Sequence, residues 1–264
     1  MTESERLGTA DESVSLRVEG PIAIITINRP SVRNAIDLPT AESISLAFDT
    51  CETQTSIRAI VLTGANGYFS AGMDLKALNA TGDRPITKRR GAFGIVEKPP
   101  NKPLIAAVEG HALGGGLEIA LAADLIVASE TARFGLPEVK RGLVATAGGV
   151  LRLPQRIPRA IALELVLTGE AISAGIARDL GLVNRVVPEG TALDAALELA
   201  SVIAANAPMA VRAAKRVVVE SAQWPSEEGF TRQREYTDPV RASRDAREGA
   251  QAFVEKRSPQ WQDA

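Results

Sequence analysis

The apolar positions of this chain fall into short blocks whose spacing switches between two residues and about 3.6, as expected of strands alternating with helices. Val14 to Val18 alternates apolar and polar, Gly20-Pro21 turns the chain, and Ile22 to Ile27 is almost wholly apolar. The pair predicts a hairpin whose second strand is central in a sheet. Asn28-Arg29-Pro30 ends it, and after a loop from Ser31 to Leu38 a helix starts at Pro39 or Thr40, with Ala41, Ile44, Phe48 and Cys51 at helical spacing. Arg58 to Thr63 reads as a strand closed by Gly64. Ala65 to Asn79 then holds a glycine turn that opens a helix at Asp74.

The same strand, turn and helix recur between Pro103 and Ser129. A buried strand (Leu104 to Val108) leads into a turn carrying Gly110, Gly114, Gly115 and Gly116, a short helix (Leu117 to Ala123) and another strand (Leu125 to Ala128). Between the two units, Thr81 to Asn101 is polar, basic and rich in turn residues, which predicts a mobile surface loop. A short strand precedes Phe134-Gly135-Leu136-Pro137-Glu138, and Gly148-Gly149 introduces Val150 to Leu153 before two breakers, Pro154 and Pro158. Helices over Arg159 to Leu167 and Ser173 to Leu180 and a strand over Leu182 to Val187 follow. From Ala192 onward the pattern is helical throughout: Ala192 to Ala205, Pro208 to Ala222, Glu227 to Tyr236 and Ser243 to Lys256. The expectation is an α/β protein with a flexible tail (1–13), a strand-and-helix core (14–190) and a helical region (191–264). Right-handed crossovers should join its parallel strands. Pattern alone leaves an open doubly wound sheet and a spiral of strands equally available.

Composition narrows the class. At 264 residues the chain can bury one sizeable core with an appendage. With 30 basic and 32 acidic residues it has no bulk electrostatic reason to bind nucleic acid or an anionic membrane. A single cysteine, Cys51, excludes an internal disulfide and suits a reducing compartment. Met1 to Ser13 is polar and lacks the apolar segment of a signal or transit peptide. Glu109, Glu118 and Asp124 interrupt the best candidate for the ~18 apolar residues that a membrane span needs. A soluble cytoplasmic protein is expected.

Candidate chemistry begins with Glu118, the only charge in a helix with no polar face, where an unpaired carboxylate is costly. Glu138, after Pro137, also sits among apolar residues; for both, a structural ion pair competes with a functional role. The run Gly114 to Gly116 fits neither the dinucleotide nor the phosphate-loop pattern, and close packing or an oxyanion-binding nest remain open for it. Phe69-Ser70-Ala71-Gly72 lacks the leading glycine of a nucleophile elbow, and the only histidine, His111, reads as a turn residue, so a serine hydrolase is disfavoured. No His or Cys cluster offers a metal site, so none is expected.

Three motifs taken together resemble one family. Phe69-Ser70-Ala71-Gly72-Met73-Asp74-Leu75-Lys76, then Gly110-His111-Ala112-Leu113-Gly114-Gly115-Gly116-Leu117-Glu118, then Phe134-Gly135-Leu136-Pro137-Glu138 are similar in order and spacing to the crotonase (enoyl-CoA hydratase/isomerase) superfamily. Leu136 to Lys140, Gly148 to Pro154 and the ending Gln260-Trp261 also resemble its carnitinyl-CoA dehydratase branch. The resemblance implies a spiral of ββα repeats, a C-terminal helical trimerisation region, and a homotrimer or dimer of trimers. It further implies an acyl-CoA substrate with no separate cofactor, and backbone N–H groups of Met73 and Gly115 as an oxyanion hole. Each such donor is worth ~3 kcal/mol to the transition state. Met stands at 73 where Ala is commoner, which leaves the N–H intact.

By the same resemblance Glu118 and Glu138 are the catalytic pair, with Glu138 transferring a proton and Glu118 positioning and activating water. Family isomerases commonly lack a match to Glu118, which favours hydration of a 2-enoyl-CoA. Arg33, Ala35, Ala71, Asp74, Leu75 and Lys76 are implied CoA contacts, and Lys256 of the same or a neighbouring subunit is another. Ala145-Thr146 replaces the Pro-Gly of many hydratases where the acyl pocket is bordered, so Thr146 is a candidate hydroxyl for a polar acyl group. Carnitinyl-CoA dehydration, double-bond isomerisation and a non-catalytic acyl-CoA binder are the alternatives.

Overall fold

The computed structural model describes the backbone of Glu5–Leu7 and residues 13–264. Glu5–Leu7 (β1) pairs antiparallel with Val14–Glu19 (β2), so this part of the expected loose tail extends the sheet; residues 1–4 and 8–12 lie outside the described residues. β2 turns into Ile22–Ile27 (β3) as a hairpin. Asp37 then caps Leu38–Thr53 (α1), its carboxylate accepting from the Thr40 N–H, and Ala41, Ile44, Phe48 and Cys51 are all buried on one side. Ala59–Gly64 (β4) lies parallel to β3.

Asp74 caps Leu75–Thr81 (α2), and the segment that follows departs from expectation. Ile86–Thr87 (β5) and Gly91–Ala92 (β6) form a small ribbon, and Phe93, Ile95 and Val96 are buried rather than mobile at the surface. The physical reason is the neutralisation of its buried charge: the Arg90 guanidinium pairs with Asp49 of α1 and lies over the Phe48 ring.

Leu104–Val108 (β7) lies between β4 and Leu125–Ser129 (β9), parallel to both. Between β7 and β9 the chain makes a short strand, His111–Leu113 (β8), and the helix Gly115–Ala122 (α3). His111 is therefore a strand residue, paired with Arg133 of Arg133–Gly135 (β10). Gly149–Arg156 (α4) contains Pro154, while Ile157, driven into extended backbone by Pro158, ends the helix. Arg159–Thr168 (α5), Ala171–Ser173 (β11), Ala174–Asp179 (α6) and Arg185–Val187 (β12) complete the middle of the chain, β12 being shorter than the expected Leu182 to Val187.

The order β1-β2-β3-β4-β7-β9-β12 defines the main sheet, and β11-β10-β8 a second one. Ser70 bridges to Ala112 of β8. Each pass thus lays one segment in the main sheet and one in the small sheet before entering a helix: β4, Ser70, α2; β7, β8, α3; β9, β10, α4. That is a spiral of ββα units, and it decides between the two architectures left open by pattern.

Both faces of the main sheet are covered, which explains the unbroken apolar runs of β3, β4 and β7. One face packs on α1 and α3. The other meets Ala196, Ala200 and Ala204 of Ala192–Ala204 (α7), whose small side chains let the helix sit closely on Val61, Ile105 and Val127. Although expected within the separate helical region, α7 is thus a layer of the core. Pro208–Ser221 (α8), Gly229–Arg232 (α9), Arg234–Ala242 (α10) and Arg244–Glu255 (α11) follow it. Among the described residues, no single helix is long and apolar enough to cross a membrane.

Candidate active site

The two glycine turns meet. Gly72, at φ 84, packs so tightly that a Cβ placed on it would lie 2.6 Å from the Gly115 nitrogen. Ile36 donates to the Gly72 carbonyl (2.8 Å) and accepts from the Asp74 N–H (2.9 Å). This parallel bridge uses the groups on either side of Met73 and turns the Met73 N–H away, with no protein acceptor among the described residues. The Gly115 N–H is open for another reason: it is the first residue of α3, and Gly114, at φ 54 and ψ −126, supplies no capping side chain. Two adjoining turns therefore each present a backbone donor with no acceptor among the described residues, an arrangement suited to an oxyanion.

Each turn is braced from below. Asn34, fully buried at φ 54, donates through Nδ2 to the carbonyls of Tyr68 (2.7 Å) and Ala65 (3.0 Å) and accepts at Oδ1 from the Arg29 N–H (2.8 Å). The Ser70 hydroxyl donates to the Asn34 carbonyl (2.8 Å) and accepts from the Gly72 N–H (3.1 Å), so it holds the turn and is no free nucleophile. Arg29 ties Asp74 (3.1 Å) to Asp37 (2.8 Å). The Asp74 carboxylate also caps α2 through the Lys76 and Ala77 N–H groups. Its carboxylate is thus engaged inside the protein, bracing the turn that carries Met73.

Glu118 lies one turn beyond Gly115 on α3 and is 3% exposed. Its Oε1 accepts from the Gly149 N–H at the start of α4 (2.9 Å). Burial pushes its carboxyl up from the usual 4.5 to about 7. The Gly149 N–H opposes the shift, Glu138 adds to it, and the Ala147 N–H and Arg152 oppose it. Glu138 follows β10 in a short 3-10 turn, Pro137–Arg141. Its Oε1 comes within 3.1 Å of where a Gly114 Cβ would sit, and its Oε2 is buried with no hydrogen-bond partner among the described residues. Burial raises this carboxyl too, against its own N–H and Arg141. Thus both carboxyls adjoin the open amides, one buried and hydrogen-bonded, the other holding an unused oxygen. The set can polarise a carbonyl oxygen while moving protons to and from neighbouring atoms.

The remaining expected contacts divide. Ala71 donates its N–H to the Arg33 carbonyl (3.0 Å), and Ala35 sits beside them, so these three share one rim; Arg33 and Ala71 are exposed. Leu75 and Lys76 are exposed on the first turn of α2, next to Met73. Thr146 is exposed and adjoins Ala147, whose N–H reaches Glu118. Lys256 caps the far end of α11, and among the described residues no hydrogen bond or ion pair joins its side chain to the site. Sequence reasoning missed Asn34, Arg152 and Phe93. Only Asn34 carried a signal, since Asn is among the few residues that tolerate left-handed backbone.

The model of the enoyl-CoA hydratase/isomerase family matches residues 17–264. The enoyl-CoA hydratase EchA19 of Mycobacterium tuberculosis is 42% identical over 252 residues, spanning 92% of this chain and 94% of that protein. A carnitinyl-CoA dehydratase of Salmonella paratyphi A is 44% identical over 258 residues, spanning 95% and 98%. The crystal structure of an enoyl-CoA hydratase from Mycobacterium tuberculosis H37Rv, 50% identical, covers 96% of this chain and 100% of its own with a TM-score of 0.94.

Proposed function

The chain belongs to the enoyl-CoA hydratase/isomerase family, and from that premise we propose that this site adds water reversibly across the 2,3 double bond of a 2-enoyl-CoA. The observation that carries the reading is the unpartnered Glu138 Oε2 beside the Gly114–Gly115 turn, with the hydrogen-bonded Glu118 one helical turn away. The thioester oxygen takes hydrogen bonds from the Met73 and Gly115 N–H groups, which strengthen as the enolate forms. Ionised Glu118 accepts a proton from water as its oxygen bonds to C3, and protonated Glu138 gives a proton to C2. Glu118 is left protonated and Glu138 ionised, and proton exchange restores the pair. A carboxyl poised near neutrality suits that cycle.

Arg33, Ala35, Ala71, Leu75 and Lys76 form the reading's CoA rim, and Lys256 of the same or a neighbouring subunit is a further contact in it. A trimer, or a dimer of trimers, fits the exposed apolar side chains Val144, Leu151 and Leu167, which need a cover. A cytoplasmic location goes with the same reading. A second reading, dehydration of a polar acyl-CoA, draws on the Salmonella relative and on the Thr146 hydroxyl beside Ala147. Incubation with crotonyl-CoA separates them: loss of the enoyl absorbance supports hydration, and binding without turnover defeats it.

A further inference from the structure

Phe93 holds left-handed backbone at φ 55, between Gly91 at 72 and Gly94 at 73. Glycine enters that region freely, whereas a bulky side chain does so only under constraint. The constraint comes from both sides. Upstream, the 3% exposed Arg90 pairs with Asp49 (2.9 Å) and donates to the Lys98 carbonyl (2.7 Å). Downstream, Arg152 of α4 donates to the Val96 carbonyl (2.6 Å). So held, the ring is buried with its tip against Gly115: a Cβ built on Gly115 would overlap Phe93 Cζ and lie 2.7 Å from Cε2.

An oxygen bound by the Gly115 N–H sits about 3 Å from that nitrogen, so the carbon chain attached to the carbonyl leaves within reach of the ring. The ring cannot withdraw as a unit with its loop, because Arg90 and Arg152 pin the backbone on either side. We propose that Phe93 is the specificity-determining wall of the acyl site, admitting short 2-enoyl thioesters and excluding long ones. The proposal rests on the 2-enoyl-CoA reading above. Removing the ring lengthens the usable pocket, and each further buried methylene of substrate then gains affinity.

The experiment measures kcat/KM of the full chain for crotonyl-CoA and for trans-2-decenoyl-CoA in the wild type, Phe93→Leu and Phe93→Ala. The decenoyl-to-crotonyl ratio should rise from wild type to Leu and again to Ala, by about tenfold or more in the last. A purely structural ring would lower both substrates alike and leave the ratio where it was. Leu keeps most of the apolar volume, so the ratio can be read in that variant even where Ala fails to fold. An unchanged ratio in a folded variant overturns the role of Phe93 while leaving hydration intact. A wild type that hydrates neither thioester overturns both.

Discussion

Replacing Glu118 with glutamine should make the protein less active and more stable, with a gain that grows as pH rises from about 4.5 to about 7. A carboxyl with a pKa of 4.5 in the unfolded chain and about 7 in the folded one is easier to protonate when folded. Its share of stability is therefore present at low pH and is lost as pH rises from about 4.5 to about 7. Integrating that difference, ionised Glu118 destabilises the fold by about 1 kcal/mol at pH 5 and about 3 kcal/mol at pH 8. Glutamine is neutral at both, and its carbonyl oxygen still accepts the Gly149 N–H. The variant should thus exceed the wild type by about 2 kcal/mol more at pH 8 than at pH 5. Urea unfolding at the two pH values, at one fixed protomer concentration, measures this. An advantage that is equal at both pH values, or absent at pH 8, would refute a carboxyl made costly by burial. Crotonyl-CoA turnover should meanwhile fall by orders of magnitude, and the acid limb of wild-type kcat/KM should lie near pH 7.

Two further changes test the scaffold beneath the donors. Gly72→Ala forces a methyl toward the Gly115 nitrogen in backbone that resists a side chain; turnover should drop about a hundredfold, comparable to loss of one oxyanion donor, with a smaller effect on KM. A near-normal kcat there would separate the Gly72–Gly115 contact from the chemistry. Asn34→Ala strands the carbonyls of Ala65 and Tyr68 and the Arg29 N–H; a stability loss of about 3 kcal/mol by thermal or urea unfolding is expected, and a loss below about 1 would mean that the bonds are dispensable.

The local elements were legible in the residues because their causes are local. An unbroken apolar run such as Leu104 to Val108 has few structural options, and Asp74 ahead of its helix marks the start through its own carboxylate. Glu118 was legible as a buried charge, since its helix has no polar face on which to place it. Its family resemblance further pointed to Met73, Gly115 and Glu138. Long-range pairing was not legible. Thr81 to Asn101 is polar in composition, yet Asp49, 41 residues before Arg90, neutralises the charge that would have kept the segment in water, and so Phe93 reaches Gly115. That Arg29, 45 residues earlier, would pair with Asp74 was equally out of reach of the local pattern. The Glu118 carboxyl acquires its proton affinity from burial, from an N–H 31 residues further on and from Glu138. Sequence by itself determined the long strands and helices and that a carboxylate lies among apolar residues, because propensity and periodicity act over a few neighbours. The tertiary structure alone decided which donors stay unsatisfied and which charges are paired, because those depend on groups brought together from distant turns of the spiral.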